Sequence, residues 1–154
     1  MIEINKIKES NDDIEHIDEV LELSTEAQKY LSSFPWCNKI LRGWLAKSWG
    51  YMLCVFYFEI EPKPLYGADN FLWIIVGDIP PAYIDIESAH NELEALEAYV
   101  YLMEEWINTF RQGKSIENCF PINIEPSEKY ANMLSKRMEI VKTNFIPELS
   151  KKVD

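Results

Sequence analysis

Tyr51-Met52-Leu53-Cys54-Val55-Phe56-Tyr57-Phe58 and, after a break, Phe71-Leu72-Trp73-Ile74-Ile75-Val76 decide how this chain folds. Both runs are rich in aromatic and β-branched residues, the composition of a strand, and a strand turns alternate side chains to opposite faces. In the first run Tyr51, Leu53, Val55 and Tyr57 fall on one side, with Met52, Cys54, Phe56, Phe58 and Ile60 on the other. In the second, Phe71, Trp73 and Ile75 oppose Leu72, Ile74 and Val76. Neither run has a polar face, so the sheet they build needs cover above and below. The connection from Glu61 to Asn70 holds Pro62, Pro64 and Gly67, which reads as a long hairpin loop and predicts antiparallel pairing.

Working outward, Gly77-Asp78 ends the second strand, Pro80-Pro81 removes ladder donors, and Ala82 to Ile86 is expected as a short edge strand. Upstream, Trp36, Cys37, Ile40, Leu41, Trp44 and Leu45 recur at helical spacing behind Pro35. That pattern predicts a helix to about Ser48, with Lys39, Arg42 and Lys47 outside the apolar stripe. Asp12 to Ser32 predicts either one bent helix or two short ones, because Ser24 and Thr25 favour caps over helix interiors. A long helix is expected from Ser88 to Gln112, where Leu93, Leu96, Val100, Met103, Ile107 and Phe110 form the stripe and Gly113 is the stop. Cys119 to Ile124 reads as an extended segment pinned by Phe120, Ile122 and Ile124. Ser127 caps a last helix to about Phe145, with Tyr130, Leu134, Met138 (or the stem of Arg137), Val141 and Phe145 inward and Pro147 ending it. Trp44, Trp49, Trp73 and Trp106 all sit at core spacing.

The expected architecture is therefore α+β, a small antiparallel sheet flanked by helices in a single domain with its core over about residues 12–147. A second copy of the chain, as a homodimer, is called for only if the helices cover one face of the sheet. The 154 residues suit one domain, and 47% hydrophobic with 27% charged residues is globular composition. No apolar run approaches the ~20 residues of a membrane helix, and the first residues do not read as a secretory leader, so a cytoplasmic protein is expected. Cys37, Cys54 and Cys119 are odd in number and set among apolar residues, which predicts free buried thiols.

The net charge of −11 is unevenly distributed. Residues 1–34 carry nine acids and three bases, and residues 59–105 carry eleven acids and one base. Residues 35–58 hold three bases and no acid, and residues 106–154 hold eight bases and six acids. Such a surface repels phosphate backbones and anionic lipid, which argues against nucleic acid and membranes as partners.

Chemical motifs are sparse. His16 and His90 lie far apart and no Cys-x-x-Cys occurs, so no metal site is expected. The five glycines never cluster into a phosphate loop, and no Gly-x-Ser-x-Gly elbow is present, so no cofactor is expected either. Cys37, in a first helical turn, is the one thiol with a claim to activation, against burial as the plainer reading. Val76-Gly77-Asp78-Ile79-Pro80-Pro81-Ala82-Tyr83 puts a carboxylate where a doubly buried strand emerges. Asp78 there either accepts turn N–H bonds or joins Trp36, Tyr83 and His90 in a small pocket, with Asp78 or His90 as general base. Glu87, Glu94, Glu97, Glu104 and Glu105 make an acidic stripe on the long helix, either a solvated face or a surface that steers a basic protein.

Trp36-Cys37, the string Val76 to Tyr83, Pro121-Ile122-Asn123 and Pro126-Ser127-Glu128-Lys129-Tyr130-Ala131 together carry a resemblance. Across most of residues 34–146 the chain resembles a family of small stand-alone bacterial proteins that form a domain of unknown function. The resemblance implies a bacterial source and no established enzymatic role. The chain also looks like the general type of small acidic immunity proteins that neutralise bacterial toxins. Three readings follow: a non-enzymatic module binding a basic protein, a small-molecule-binding domain or enzyme around Asp78, Tyr83 and His90, and a structural homo-oligomer.

Overall fold

The computed structural model describes residues 1–9 and 15–151. Five strands form one antiparallel meander in the order β1 (Ile2–Glu3), β2 (Cys37–Ser48), β3 (Leu53–Pro62), β4 (Phe71–Gly77) and β5 (Ile79–Asp85). The register of the two central strands runs from Leu53 opposite Gly77 to Glu59 opposite Phe71. Helix α1 (Ile17–Ser32) lies on one face, and α2 (Glu92–Arg111), α3 (Glu128–Ile140) and α4 (Ile146–Ser150) lie on the other.

This is the α+β fold expected, and the double cover has the cause read from the sequence. Cys54, Phe56, Phe58 and Ile60 of β3 join Leu72, Ile74 and Val76 of β4 in the core under α1. Leu53 and Val55 join Trp73 and Ile75 in the core under α2 and α3. Because both faces are covered within one chain, the condition that would have required a second copy is not met. Tyr51 and Met52, assigned to the strand by alternation, stand outside it in the β2–β3 turn, 48% and 44% exposed.

The helix expected from Trp36 to Ser48 is a strand. Three bulges interrupt the β2–β3 pairing, between Cys37 and Lys39, Ile40 and Arg42, and Leu45 and Lys47. Each bulge adds a residue and re-phases the alternation, so the residues facing α1 fall at Cys37, Ile40, Gly43 and Leu45. A two-residue period stretched in this way imitates the three-to-four spacing of a helix. The cations Lys39 and Arg42 stand opposite Glu61 and Glu59, with Arg42 Nε 2.9 Å from Glu59 Oε1, so two of the three cations of the basic patch face an acid across the ladder.

The other elements differ at their ends. In α1 the Ser24 and Thr25 hydroxyls donate back to the Leu21 carbonyl, at 2.8 and 3.2 Å, and the helix continues unbroken. Asp12, Asp13 and Ile14, where that helix was expected to begin, lie outside the described residues. The edge strand β5 starts at Ile79 and so includes both prolines: one of the two N–H positions faces the open side, and the prolines fall where the β4–β5 register shifts between Ile75 and Gly77, so neither interrupts a regular ladder. Helix α2 starts four residues late, at Glu92, because Asn91 caps it by accepting the Glu94 N–H at 2.9 Å. Pro147 does not end the last helix. A π-helical turn over Val141–Phe145 resets the backbone, and Pro147 falls in the first turn of α4, where its missing N–H is no loss. The inward residues Leu134, Met138, Val141, Phe145 and Leu149 span 15 positions, about 60° beyond four whole α-turns, and the wider turn takes up that excess.

Candidate functional site

The four residues proposed for a pocket separate into three places. Trp36 and Tyr83 do meet, edge to face with centroids 5.2 Å apart. Phe34 stacks on Trp36 at 4.9 Å, and Phe34 and Phe120 each meet Tyr83 edge-on, at 5.1 and 5.0 Å. These rings pack around Tyr83 of β5, the last strand of the sheet. His90 is exposed, precedes α2, and holds Glu94 Oε1 at 2.9 Å through Nδ1. The His90 backbone N–H, which reaches the same oxygen at 2.8 Å, and after it this ring contact lower the Glu94 pKa. Asp78 sits in the β4–β5 turn and lines two depressions whose walls contain none of Trp36, Tyr83 and His90.

Asp78 has a partner that local sequence does not announce, 59 residues away. Arg137 of α3 donates Nη2 to Asp78 Oδ2 and Nε to the Asp78 carbonyl, both at 2.6 Å. The turn is fixed from the other side as well, since the Asp78 N–H reaches the Tyr51 and Met52 carbonyls at 2.9 and 3.2 Å. Gly77 makes this possible: at φ +149 it adopts a backbone conformation closed to other residues, and a side chain there would strike the Met52 carbonyl.

Gly77 and Asp78 form a ridge between two depressions. On the α3 side lies a groove of 290 Å³ walled by Ile79, Pro80, Pro81, Ile124, Met133 and Leu134, with Tyr130, Asn123 and Arg137 at its rim. Two of the strings singled out in the sequence, residues 76–83 and 121–131, converge on this groove although they are 38 positions apart at their near ends. On the α1 side lies a cleft of 420 Å³ formed by Glu22, Leu23, Glu26, Tyr51, Met52 and the ridge. The Tyr51 hydroxyl bonds the Glu22 carboxylate. That bond first, then burial and the charges of Glu22, Glu19 and Asp18, push the Tyr51 pKa up to about 12. Glu22, Glu19 and Asp18 thus all act on the phenol in the same direction.

Within the acidic segment 1–34, Asp18, Glu22 and Glu26 of α1 recur every four residues and so share one helix face. Among the described residues these three form no ion pair. The expected stripe on α2 is less uniform. Glu94 is engaged by His90, and Glu104 holds Lys142 Nζ at 2.8 Å, which raises the lysine pKa. Glu87 lies in the turn before α2 and so outside the stripe, and Glu87, Glu97 and Glu105 form no ion pair among the described residues.

A third depression, of 820 Å³, is bordered by His16, Lys47, Trp49 and Glu148. Glu148 there accepts from Lys47 Nζ at 3.1 Å and from Trp49 Nε1 at 2.7 Å. Cys37, Cys54 and Cys119 are buried free thiols. Cys37 opens a strand, not a helix, so no helix N-terminus activates it, and burial raises its pKa; burial pushes Cys54 up to about 11. Among the described residues no cluster of His, Cys, Asp and Glu could hold a metal ion, and no helix is long and apolar enough to cross a membrane. No protein-family model, curated protein or solved structure matches this chain.

Proposed function

We propose that this protein is a non-enzymatic binding module that captures a basic protein, in the manner of the small immunity proteins that neutralise bacterial toxins. The observation that carries the reading is the row Asp18, Glu22 and Glu26, three carboxylates on one face of α1 with no cation paired to them among the described residues. Unpaired like charges on a short helix repel one another, so the row costs the free protein stability and offers a partner's lysines and arginines an undivided attraction. The overall charge of −11 extends that field and would speed encounter with a basic protein while repelling nucleic acid. Three free thiols suit a bacterial cytoplasm, where a toxin made by the same cell would be held inactive. A small-molecule enzyme has less support, since Asp78 is held by Arg137 and His90 lies with Glu94.

The test is capture from a lysate of the source organism by the immobilised protein, at low and high salt, beside a Asp18→Lys, Glu22→Lys, Glu26→Lys triple variant. The reading expects a basic protein retained at low salt, released by salt, and lost with the triple variant. Retention of the same proteins by the reversed surface, or no basic protein retained at low salt, would overturn it.

A further inference from the structure

Resting on that reading, we infer that the two depressions flanking the Gly77–Asp78 ridge are one docking groove, and that its occupant is a partner segment in which a lysine or arginine has a large apolar residue close to it in sequence. The depressions share Gly77 and Asp78 as a common wall, so a chain crossing the ridge reaches both. Their chemistry differs in a way that sets which kind of side chain lies on which side of the ridge.

The α1 side is built for a cation. Glu22 and Glu26 line it, Tyr51 offers an exposed ring that a cation can cover, and the raised Tyr51 pKa shows the sign of the potential there. The α3 side is built for hydrocarbon. Ile79, Pro80, Pro81, Ile124 and Met133 line it, and its one cation, Arg137, is already bound to Asp78. Among the described residues Tyr51, Met52 and Met133 are exposed apolar side chains arranged around a single turn, 48%, 44% and 38% accessible. Tyr and Met are residue types enriched at the centres of protein interfaces, and surrounding carboxylates add the charge complementarity that fixes register. The ridge itself is rigid, held by Arg137 from one side and by the Tyr51 and Met52 carbonyls from the other, so the groove is formed before a partner arrives.

The experiment selects a phage-displayed library of random peptides on the whole protein and then measures the enriched peptides against variants by fluorescence anisotropy. The expected consensus is a basic residue with a large apolar neighbour. Glu22→Lys with Glu26→Lys, and separately Met133→Asp, should each weaken binding by about tenfold or more, whereas Tyr101→Asp on α2 should leave it unchanged. Urea midpoints of the variants confirm that they fold. Basic peptides that survive Met133→Asp would overturn the two-part groove and leave the acidic binding module standing. Basic peptides lost with Tyr101→Asp would move the surface to α2 and overturn the groove likewise. Enrichment of acidic or wholly apolar peptides, or of none, would overturn the groove and the module together.

Discussion

Replacing Gly77 by alanine should cost far more stability than a single methyl group suggests. Gly77 has φ +149, a conformation that L residues essentially never adopt, and holding alanine there costs about 1–3 kcal/mol. The added Cβ would also lie against the Met52 carbonyl oxygen, 2.7 Å from its carbon and 2.8 Å from Leu53 Cα. Those are backbone atoms of the neighbouring strand and turn, which have no rotamer to yield, so overpacking adds about 1–3 kcal/mol. The sum, about 4 kcal/mol, is a large share of the 5–15 kcal/mol that holds an ordinary domain together. In urea, with a slope of about 2 kcal/mol per molar, the midpoint followed by tryptophan fluorescence should fall by about 2 M. Gly113→Ala is the internal control. It also has positive φ, +71, but nothing lies within 4 Å of its Cβ, so only the backbone term of about 1–2 kcal/mol applies. If Gly77→Ala costs no more than Gly113→Ala, the close approach of β4 to Met52 is not the constraint described.

Three further outcomes are expected. Tyr99→Phe removes the buried hydroxyl that bonds the Pro80 carbonyl at 2.7 Å and leaves that oxygen dry, at a cost of about 1–2 kcal/mol by denaturant titration; a neutral change would mean the carbonyl finds another donor. Arg137→Ala should destabilise by about 1 kcal/mol and Asp78→Asn by about half of that, since Arg137 Nε keeps the Asp78 carbonyl in the second variant; the reverse order would count against the clamp. Tyr51 should ionise at about 12 and not at the ordinary 10.0, so its contribution to stability is complete below pH 10 and is lost as pH rises through about 12. Glu22→Gln should bring the tyrosinate absorbance step toward lower pH, and an unmoved step would deny Glu22 its part.

The sheet and its double cover could be read from residues 53–60 and 71–76, because apolar residues on both sides of a strand have one physical meaning. β2 could not, since its bulges turned a strand's period into one resembling a helix, and bulges are set by pairing with β3 that local sequence does not display. The same limit governs the candidate site. Residues 76–83 and 121–131 stood out as strings, yet their meeting depends on α3 packing beside β5, and the Arg137 clamp joins residues with no local relation. Trp36 and Tyr83 meet ring to ring, and Asp78 lies apart from them in the β4–β5 turn. The acidic row on α1 was legible as a four-residue repeat; what sequence lacked was the knowledge that Tyr51 and Met52 leave the sheet and stand beside it.

The π turn at Val141–Phe145 bears on how chain length can drift in this protein's descendants. With one residue removed there, Leu134 and Leu149 would be 14 positions apart, about 40° short of four α-turns, and an ordinary helix would still present both inward. Pro147 would then lie deep in that regular helix, where a proline costs about 3 kcal/mol. Loss of a residue from this segment and replacement of Pro147 should therefore be inherited as a pair, each tolerated chiefly in the company of the other.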